Sequence, residues 1–224
     1  MQDPVYVRDA FAEIAPKYVS TNHVLCLGID VLWRRKVASM VAKGKPSRIL
    51  DLATGTGDLA LELGKKLPAS MVVAADFCEP MLEVARERGV PNTTVADGMN
   101  LPFEDEGFDA VTIGFGLRNM EDWAGGVREM ARVIRPGGKL FVLDFSMPKN
   151  PLLRGAYRFY LHHVLNRVAG WLTGARHAYD YLGGTIEKFP SGDAMCELLV
   201  SNGFKEAKSR PLSFGISSIY EATK

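Results

Sequence analysis

The run Arg48-Ile49-Leu50-Asp51-Leu52, which passes straight into Ala53-Thr54-Gly55-Thr56-Gly57-Asp58, restricts this chain more than any other segment. A short apolar stretch ending in closely spaced glycines predicts a strand entering a tight loop. Leu59, Leu63 and Leu67 then recur at helical spacing, so a helix over Asp58 to Leu67 follows. The unit repeats: Met71 to Ala75 is a second apolar strand ending at Asp76, and Glu79 to Arg88 has helical periodicity at Met81, Leu82 and Ala85. Short strands are expected at Thr93 to Ala96 and at Phe108 to Ile113, the latter behind the turn-forming Glu104-Asp105-Glu106-Gly107. A helix over Glu121 to Ile134, a break at Arg135-Pro136-Gly137-Gly138 and an apolar strand over Lys139 to Phe145 complete a parallel set. After a helix at Ser191 to Ser201, Phe204 to Arg210 and Gly215 to Ala222 read as a closing antiparallel pair.

This alternation predicts an α/β chain with a Rossmann-like, doubly wound sheet of about seven strands and right-handed crossovers. Two stretches fall outside it: an N-terminal helical segment from Tyr6 to Lys43, within a cover spanning residues 1–45, and a helical insertion from Lys149 to Lys188. Both are candidate covers over an active site, inside a single domain of residues 1–224.

At 224 residues the chain can bury a real core, and 47% hydrophobic with 24% charged residues is ordinary for an ordered globular protein. A net charge of +1 gives no global pull toward nucleic acid. Cys26, Cys78 and Cys196 are too far apart for close-paired zinc or redox motifs and read as reduced, cytosolic thiols. Met1 to Ala10 lacks the basic start and apolar run of a secretory signal, and no unbroken apolar stretch reaches spanning length. The expected location is the cytoplasm, and no metal is expected.

In an open parallel sheet, ligands bind beyond the carboxyl ends of the strands where the strand order reverses, usually at the loop after the first strand. Gly55 and Gly57 remove side chains where backbone must bend or approach a ligand, and Asp51 and Asp58 put acids at either edge, which suits a cationic ligand bearing a nucleoside. Gly55-x-Gly57-x-x-Ala60, with Asp76 at the end of the next strand, equally fits a dinucleotide fingerprint. Two points favour a methyl donor over that rival. Asp58 stands at the helix start, where a pyrophosphate needs bare N–H groups, and no hydride-site constellation follows. Asp97, beside Met99 and Leu101, offers a polar group near where an adenine edge would lie.

With Leu101-Pro102-Phe103, Phe108-Asp109, Phe115-Gly116-Leu117-Arg118-Asn119, Glu129-Met130 and Arg135-Pro136-Gly137-Gly138 added to the glycine loop, the chain resembles the ubiquinone/menaquinone biosynthesis C-methyltransferase family. That family is class I and uses S-adenosylmethionine, and the likeness covers nearly the whole chain. Phe115 to Asn119 is its specific part; many methyltransferases share the glycine loop. Tyr18 through Asn22, Gly28, Trp33-Arg34, Tyr181-Leu182 and Phe189-Pro190 also look like family positions. The resemblance implies that S-adenosylmethionine is held by Asp51, Gly55, Thr56, Gly57, Asp76, Phe77, Asp97, Gly98 and Gly114, and that S-adenosylhomocysteine leaves. The chain departs from relatives at Asp97, Gly114, Asp144, Thr185 and Gly192, where asparagine, serine, glutamate, serine and glutamine are seen. Gly114 can therefore offer only backbone contacts.

The implied reaction methylates a ring carbon of a prenylated quinol, converting demethylmenaquinol to menaquinol. The equivalent step on a 2-methoxy-6-polyprenyl-1,4-benzoquinol of ubiquinone biosynthesis stays open beside it. So do a small-molecule methyltransferase of a secondary pathway and a non-catalytic binding protein. A quinol hydroxyl must release its proton to push electron density onto the ring, and the ring proton must leave afterwards. The resemblance points to Arg118, Asn119 and Asp58 as the groups that arrange this. Arg118 stays protonated, which makes it a stabiliser of phenolate charge rather than a base, with Asn119 orienting. A cap on the helix near Glu121 is the structural alternative for the pair. Tyr18, Asn22, His177 and Tyr181 are expected on the substrate side, His177, Tyr179 and Tyr181 as alternative proton relays. Between Phe145 and Tyr179, Lys149, Arg154, Arg158, Arg167 and Arg176 interleave with Tyr157, Phe159, Tyr160 and Trp171, without an acidic residue. That pattern suits peripheral contact with the anionic inner face of a membrane, or equally a lid with a solvated basic face. No nucleic-acid partner is expected, and a homodimer is left open.

Overall fold

The computed structural model describes residues 8–9, 11–13, 15, 26, 28–165 and 184–224. Helix α1 (Ile29–Val41) precedes β1 (Arg48–Leu52), α2 (Asp58–Lys66), β2 (Met71–Asp76), α3 (Glu79–Glu87), β3 (Thr93–Val95) and β4 (Phe108–Gly114). Then come α4 (Trp123–Val133), β5 (Ile134–Phe145), α5 (Pro151–Phe159), α6 (Asp193–Ser201), β6 (Glu206–Leu212) and β7 (Ser217–Thr223). The seven strands form one sheet in the order β3-β2-β1-β4-β5-β7-β6. The first five are parallel; β7 runs antiparallel between β5 and β6. This is the expected doubly wound sheet with a closing antiparallel pair. The strand order reverses at β1, which has β2 on one side and β4 on the other, and this opens a crevice beyond their carboxyl ends.

Period-two alternation sends neighbouring residues of each strand to opposite faces. Leu50 and Leu52 of β1, with Leu140 and Val142 of β5, join Val127 and Met130 of α4 and Leu199 of α6 in one core. Ile49, Phe141 and Leu143 face the other way, onto Trp33, Val37 and Val41 of α1 and Leu59 and Leu63 of α2. The Ile29–Val41 part of the expected N-terminal cover is thus a core helix, because its apolar residues recur at helical spacing and meet the sheet.

The break expected at Arg135-Pro136-Gly137-Gly138 is not a break. β5 begins at Ile134, pairs with Phe108, and resumes as Ala110 with Lys139 after a register shift. A bulge absorbs the glycines while the ladder continues. A side chain at Gly138 would meet the Asp109 carbonyl at 2.8 Å, so the close approach needs glycine there. The insertion opens with α5, whose cap Asn150 accepts hydrogen bonds from the Leu152 and Leu153 amides at 2.9 and 3.2 Å. Among the described residues no helix is long and apolar enough to cross a membrane, and Cys26, Cys78 and Cys196 are free thiols.

Candidate active site

The β1–α2 loop is held at both ends by aspartates. Asp51 is buried, and its two carboxylate oxygens accept hydrogen bonds from the Thr54 and Thr112 hydroxyls, each at 2.6 Å. Its carboxylate therefore ties the loop, through Thr54, to the neighbouring strand β4, through Thr112. Asp76, at the end of β2, accepts from the Gly55 amide at 2.8 Å and from the Cys78 amide at 2.9 Å, so it joins the glycine loop to the start of α3. Burial pushes both carboxyls up to about 6, against the hydrogen bonds that favour the charged form. Phe77 follows, half-buried against the cluster that includes Cys78, Met81 and Tyr157. Gly57 caps α2 at φ 83°, and a side chain on it would meet Val90 at 2.5 Å. Only glycine satisfies both the left-handed backbone and the close packing.

Asp58 occupies the first turn of α2 and sits in a row of charges. Arg88 donates to it at 2.6 Å and to the Thr56 carbonyl at 2.6 Å, Arg34 lies 3.8 Å from it, and Arg34 also pairs with Asp30. The Thr56 side chain is buried, its hydroxyl 3.5 Å from Asp58. Arg34 and Arg88 are site residues that sequence reasoning assigned no role. The four-residue spacing of Asp30 and Arg34 on a helix was the available signal for one of them; nothing local marks Arg88.

Beyond β4 the chain turns sharply, with Phe115 at φ 61° and its amide bonded to the Leu143 carbonyl at 2.7 Å. The single turn Leu117–Asn119 follows, and it places Arg118 in the interior. Arg118 donates to Asp144 at 2.8 Å and to the Phe115 carbonyl at 2.6 Å; Asn119 donates to the same carbonyl at 3.3 Å. The alternative reading of the pair, a cap on the following helix, gives way to an ion pair between the ends of β4 and β5. Burial raises the Asp144 carboxyl, opposed by the Arg118 charge. The Phe115 and Phe145 rings lie 4.8 Å apart, with Trp33 6.2 and 6.4 Å from them. Arg34 covers the face of Phe115 and Arg118 that of Phe145, each at 5.3 Å. The aromatic trio thereby connects the Asp58 row to the Arg118 turn.

Asp97 is exposed after β3 and accepts from the Met99 amide at 2.9 Å; Gly98 is buried, and a side chain there would strike Met120 at 2.5 Å. Gly114 ends β4 with Leu59 nearby. Gly116 allows the two loops to touch, because a side chain on it would meet the Ala53 β-carbon at 2.4 Å. Tyr18, Asn22, His177 and Tyr181, together with Tyr179, Arg167, Trp171 and Arg176, lie outside the described residues.

A glycine loop at the reversal of a doubly wound sheet, with a carboxylate at the end of β2, suits a nucleoside-bearing ligand, and the antiparallel β7 between β5 and β6 is shared with methyltransferase folds. A SAM-dependent methyltransferase of Thermotoga maritima superposes with a TM-score of 0.68 at 19% identity, over 97% of this chain and 99% of that one. The CurJ carbon methyltransferase also gives 0.68, at 11% identity, over 93% of this chain and 58% of that one. These likenesses establish the fold. The model of the ubiE/COQ5 methyltransferase family matches residues 2–224, and the chain belongs to that family. It is 42% identical to the demethylmenaquinone methyltransferase of Thermus thermophilus, over 94% of this chain and 97% of that protein. To the enzyme of that name from Chlorobaculum parvum it is 40% identical, over 97% and 92%. The Geobacter sulfurreducens ubiquinone/menaquinone biosynthesis C-methyltransferase is 39% identical, over 97% and 88%. The chain is accordingly an S-adenosylmethionine-dependent methyltransferase, as its family motifs imply.

Proposed function

We propose that this enzyme methylates a ring carbon of a prenylated quinol, converting demethylmenaquinol to menaquinol. One observation carries the reading most directly: two buried guanidiniums, Arg34 and Arg118, flank an aromatic trio where β4 and β5 end. Flat rings suit a flat acceptor, and fixed positive charge lowers the energy of the phenolate that ring methylation requires.

The site fits S-adenosylmethionine, because Asp76 keeps carboxylate lone pairs beyond the Gly55 and Cys78 amides, and the close packing at Gly57, Gly98 and Gly116 draws the loops after β1, β3 and β4 together around it. Bound there, that cofactor supplies an already activated methyl group. Asp76 would accept from ribose hydroxyls, and the Gly98 and Gly114 backbones would border the nucleoside. Asn119 Oδ1 is buried and has no hydrogen-bond partner among the described residues, so it is placed to accept from a quinol hydroxyl and orient the ring. Arg118 and Arg34 hold positive charge near the oxygen as its proton, and after methyl transfer the ring proton, pass to His177 or Tyr181 or through them to water. Asp58, engaged by Arg88 and Arg34, fixes the loop and the position of Arg34. Tyr18, Asn22, His177 and Tyr181 complete the substrate side in this reading. We place the enzyme in the cytoplasm, in peripheral contact with an anionic membrane, and working without a metal.

The printed name of the Geobacter relative supports a second reading, the equivalent step on a ubiquinone precursor. Purified enzyme, labelled methyl donor and the two quinols side by side test both. Label in menaquinol supports the first, label in the methylated benzoquinol the second, and label in neither overturns the quinol assignment.

A further inference from the structure

Six of the nine large apolar side chains exposed among the described residues gather at one end of the molecule. Leu152, Leu153 and Phe159, on α5, are 82, 41 and 61% exposed; Ile29 and Leu32, at the start of α1, 38 and 60%; Phe214, between β6 and β7, 86%. Their common location follows from three contacts. Trp33 donates to Ser213 at 3.0 Å, which brings the segment carrying Leu32 beside the segment carrying Phe214. Trp33 also packs on Phe145, the end of β5. Gly215 lies so close to Pro148 that a side chain would come within 3.2 Å of its α-carbon, and Asn150, two residues on, caps α5. All six therefore stand at the carboxyl end of the parallel strands, where the crevice opens.

The outward stripe of α5 reads Leu152, Gly155, Ala156, Phe159, all exposed, while Tyr157 faces in. These positions share one helical face, and a helix of a water-soluble surface would put polar residues there. Ser213 and Phe214 hold φ of 45° and 60°, a conformation unfavourable for residues with a β-carbon, and the turn holds the Phe214 ring out in water. The charge of these three segments is one-sided. Residues 28–33, 144–165 and 212–220 contain two carboxylates, Asp30 and Asp144, both buried, whereas Lys149, Arg154 and Arg158 are exposed. Two acidic contributions border them: Glu187 pairs with Arg158 at 3.1 Å, and Asp9 and Glu13 are exposed on the N-terminal segment whose Phe11 and Ala15 pack with the inward-facing Tyr157, Asp9 being paired with Arg8.

We propose that this rim docks the enzyme on an anionic phospholipid bilayer, with Phe214 and the Leu152–Phe159 stripe entering the boundary between headgroups and acyl chains and Lys149 and Arg154 at headgroup level. The proposal rests on the quinol reading for one point, the reason a bilayer should face the crevice: a prenyl tail resides there. A second copy of the chain fits the rim less well, because a two-fold contact would set basic residues against basic residues.

Flotation with phosphatidylglycerol vesicles and with phosphatidylcholine vesicles tests it, using the wild type and the triple variant Leu152→Gln, Phe159→Gln, Phe214→Asn. All three positions are exposed, and asparagine tolerates the left-handed backbone, so the fold should be kept. The wild type is expected to float with phosphatidylglycerol, and the triple variant to partition at least about tenfold more weakly. Methylation of an unprenylated quinol should stay unchanged, while methylation of vesicle-borne quinol falls with binding. Lys149→Glu with Arg154→Glu should weaken binding to phosphatidylglycerol alone. Unchanged flotation of the triple variant overturns the proposal, as does a wild type that floats with neither vesicle. Loss of a dimer in light scattering, with flotation unaltered, would assign the rim to a second copy. A chain that floats as described but methylates no quinol leaves the docking surface standing and removes the quinol reading.

Discussion

Arg118 and Asp144 are 2.8 Å apart and both almost wholly removed from solvent, so the turn after β4 and the end of β5 share one buried ion pair. Removing one partner leaves the other charged and unsolvated. Arg118→Ala should therefore destabilise the fold by about 3–5 kcal/mol in addition to any loss of turnover. Replacing both, as Arg118→Met with Asp144→Leu, should recover most of that stability in urea denaturation while leaving turnover low. Full turnover in the double variant would sink the role given to the guanidinium.

Asp51 offers the opposite experiment. Its carboxyl ionises near 6 in the folded chain against 3.8 ordinarily, because burial opposes the charge. The unfolded chain gives up this proton first, so the group's contribution falls as pH rises from about 4 to about 6 and stays low above that. At pH 7 the buried charge costs up to about 3 kcal/mol. Asp51→Asn can accept from one threonine and donate to the other, and should raise stability at pH 7 with little effect at pH 4. Denaturation at the two pH values measures the difference.

Asp76 should make cofactor binding pH-dependent. Ribose hydroxyls donate to the carboxylate, and the carboxyl ionises near 6 in the free protein. Affinity should rise through that pH, being about tenfold weaker at pH 5 than at pH 7. Titration calorimetry across this range should show the slope in the wild type and lose it in Asp76→Asn, whose affinity is expected to be low throughout.

Gly116→Ala places a methyl 2.4 Å from the Ala53 β-carbon, against Ile113 on the other side. An alanine methyl moves only with its backbone, so the loops after β1 and β4 must separate. The expected costs are about 1–3 kcal/mol of stability and more than tenfold in cofactor affinity. Thermal melts with and without S-adenosylmethionine read both.

Strand, loop and helix were legible from Arg48 to Asp58 because the glycines and the Leu59-Leu63-Leu67 spacing are local signals. The β5 bulge was not, since Arg135-Pro136-Gly137-Gly138 is turn-forming by composition and becomes ladder only when Phe108 meets Ile134. Arg118 was marked by its motif, but its partner Asp144 comes from a different strand end, and no spacing in the chain announces a pairing made by sheet register. Arg88 reaches Asp58 and Thr56 from the residue just past α3, a contact that no local spacing announces either. Phe214 carried no sequence signal; its importance lies in a backbone angle and in what does not cover it.

The reversal of strand order at β1 also bears on how the molecule assembles. Ile49 pairs with Val72 on one side and with Ala110 on the other, so the crevice walls come from neighbours in sequence and from a distant segment. The β1–β4 pairing closes a long loop and forms slowly relative to local helices. No half of the chain possesses the binding cleft, and ligand capture can reward only the completed sheet. S-adenosylmethionine at cellular excess over its dissociation constant would then act as a late brace on refolding, drawing the population toward the assembled state by mass action.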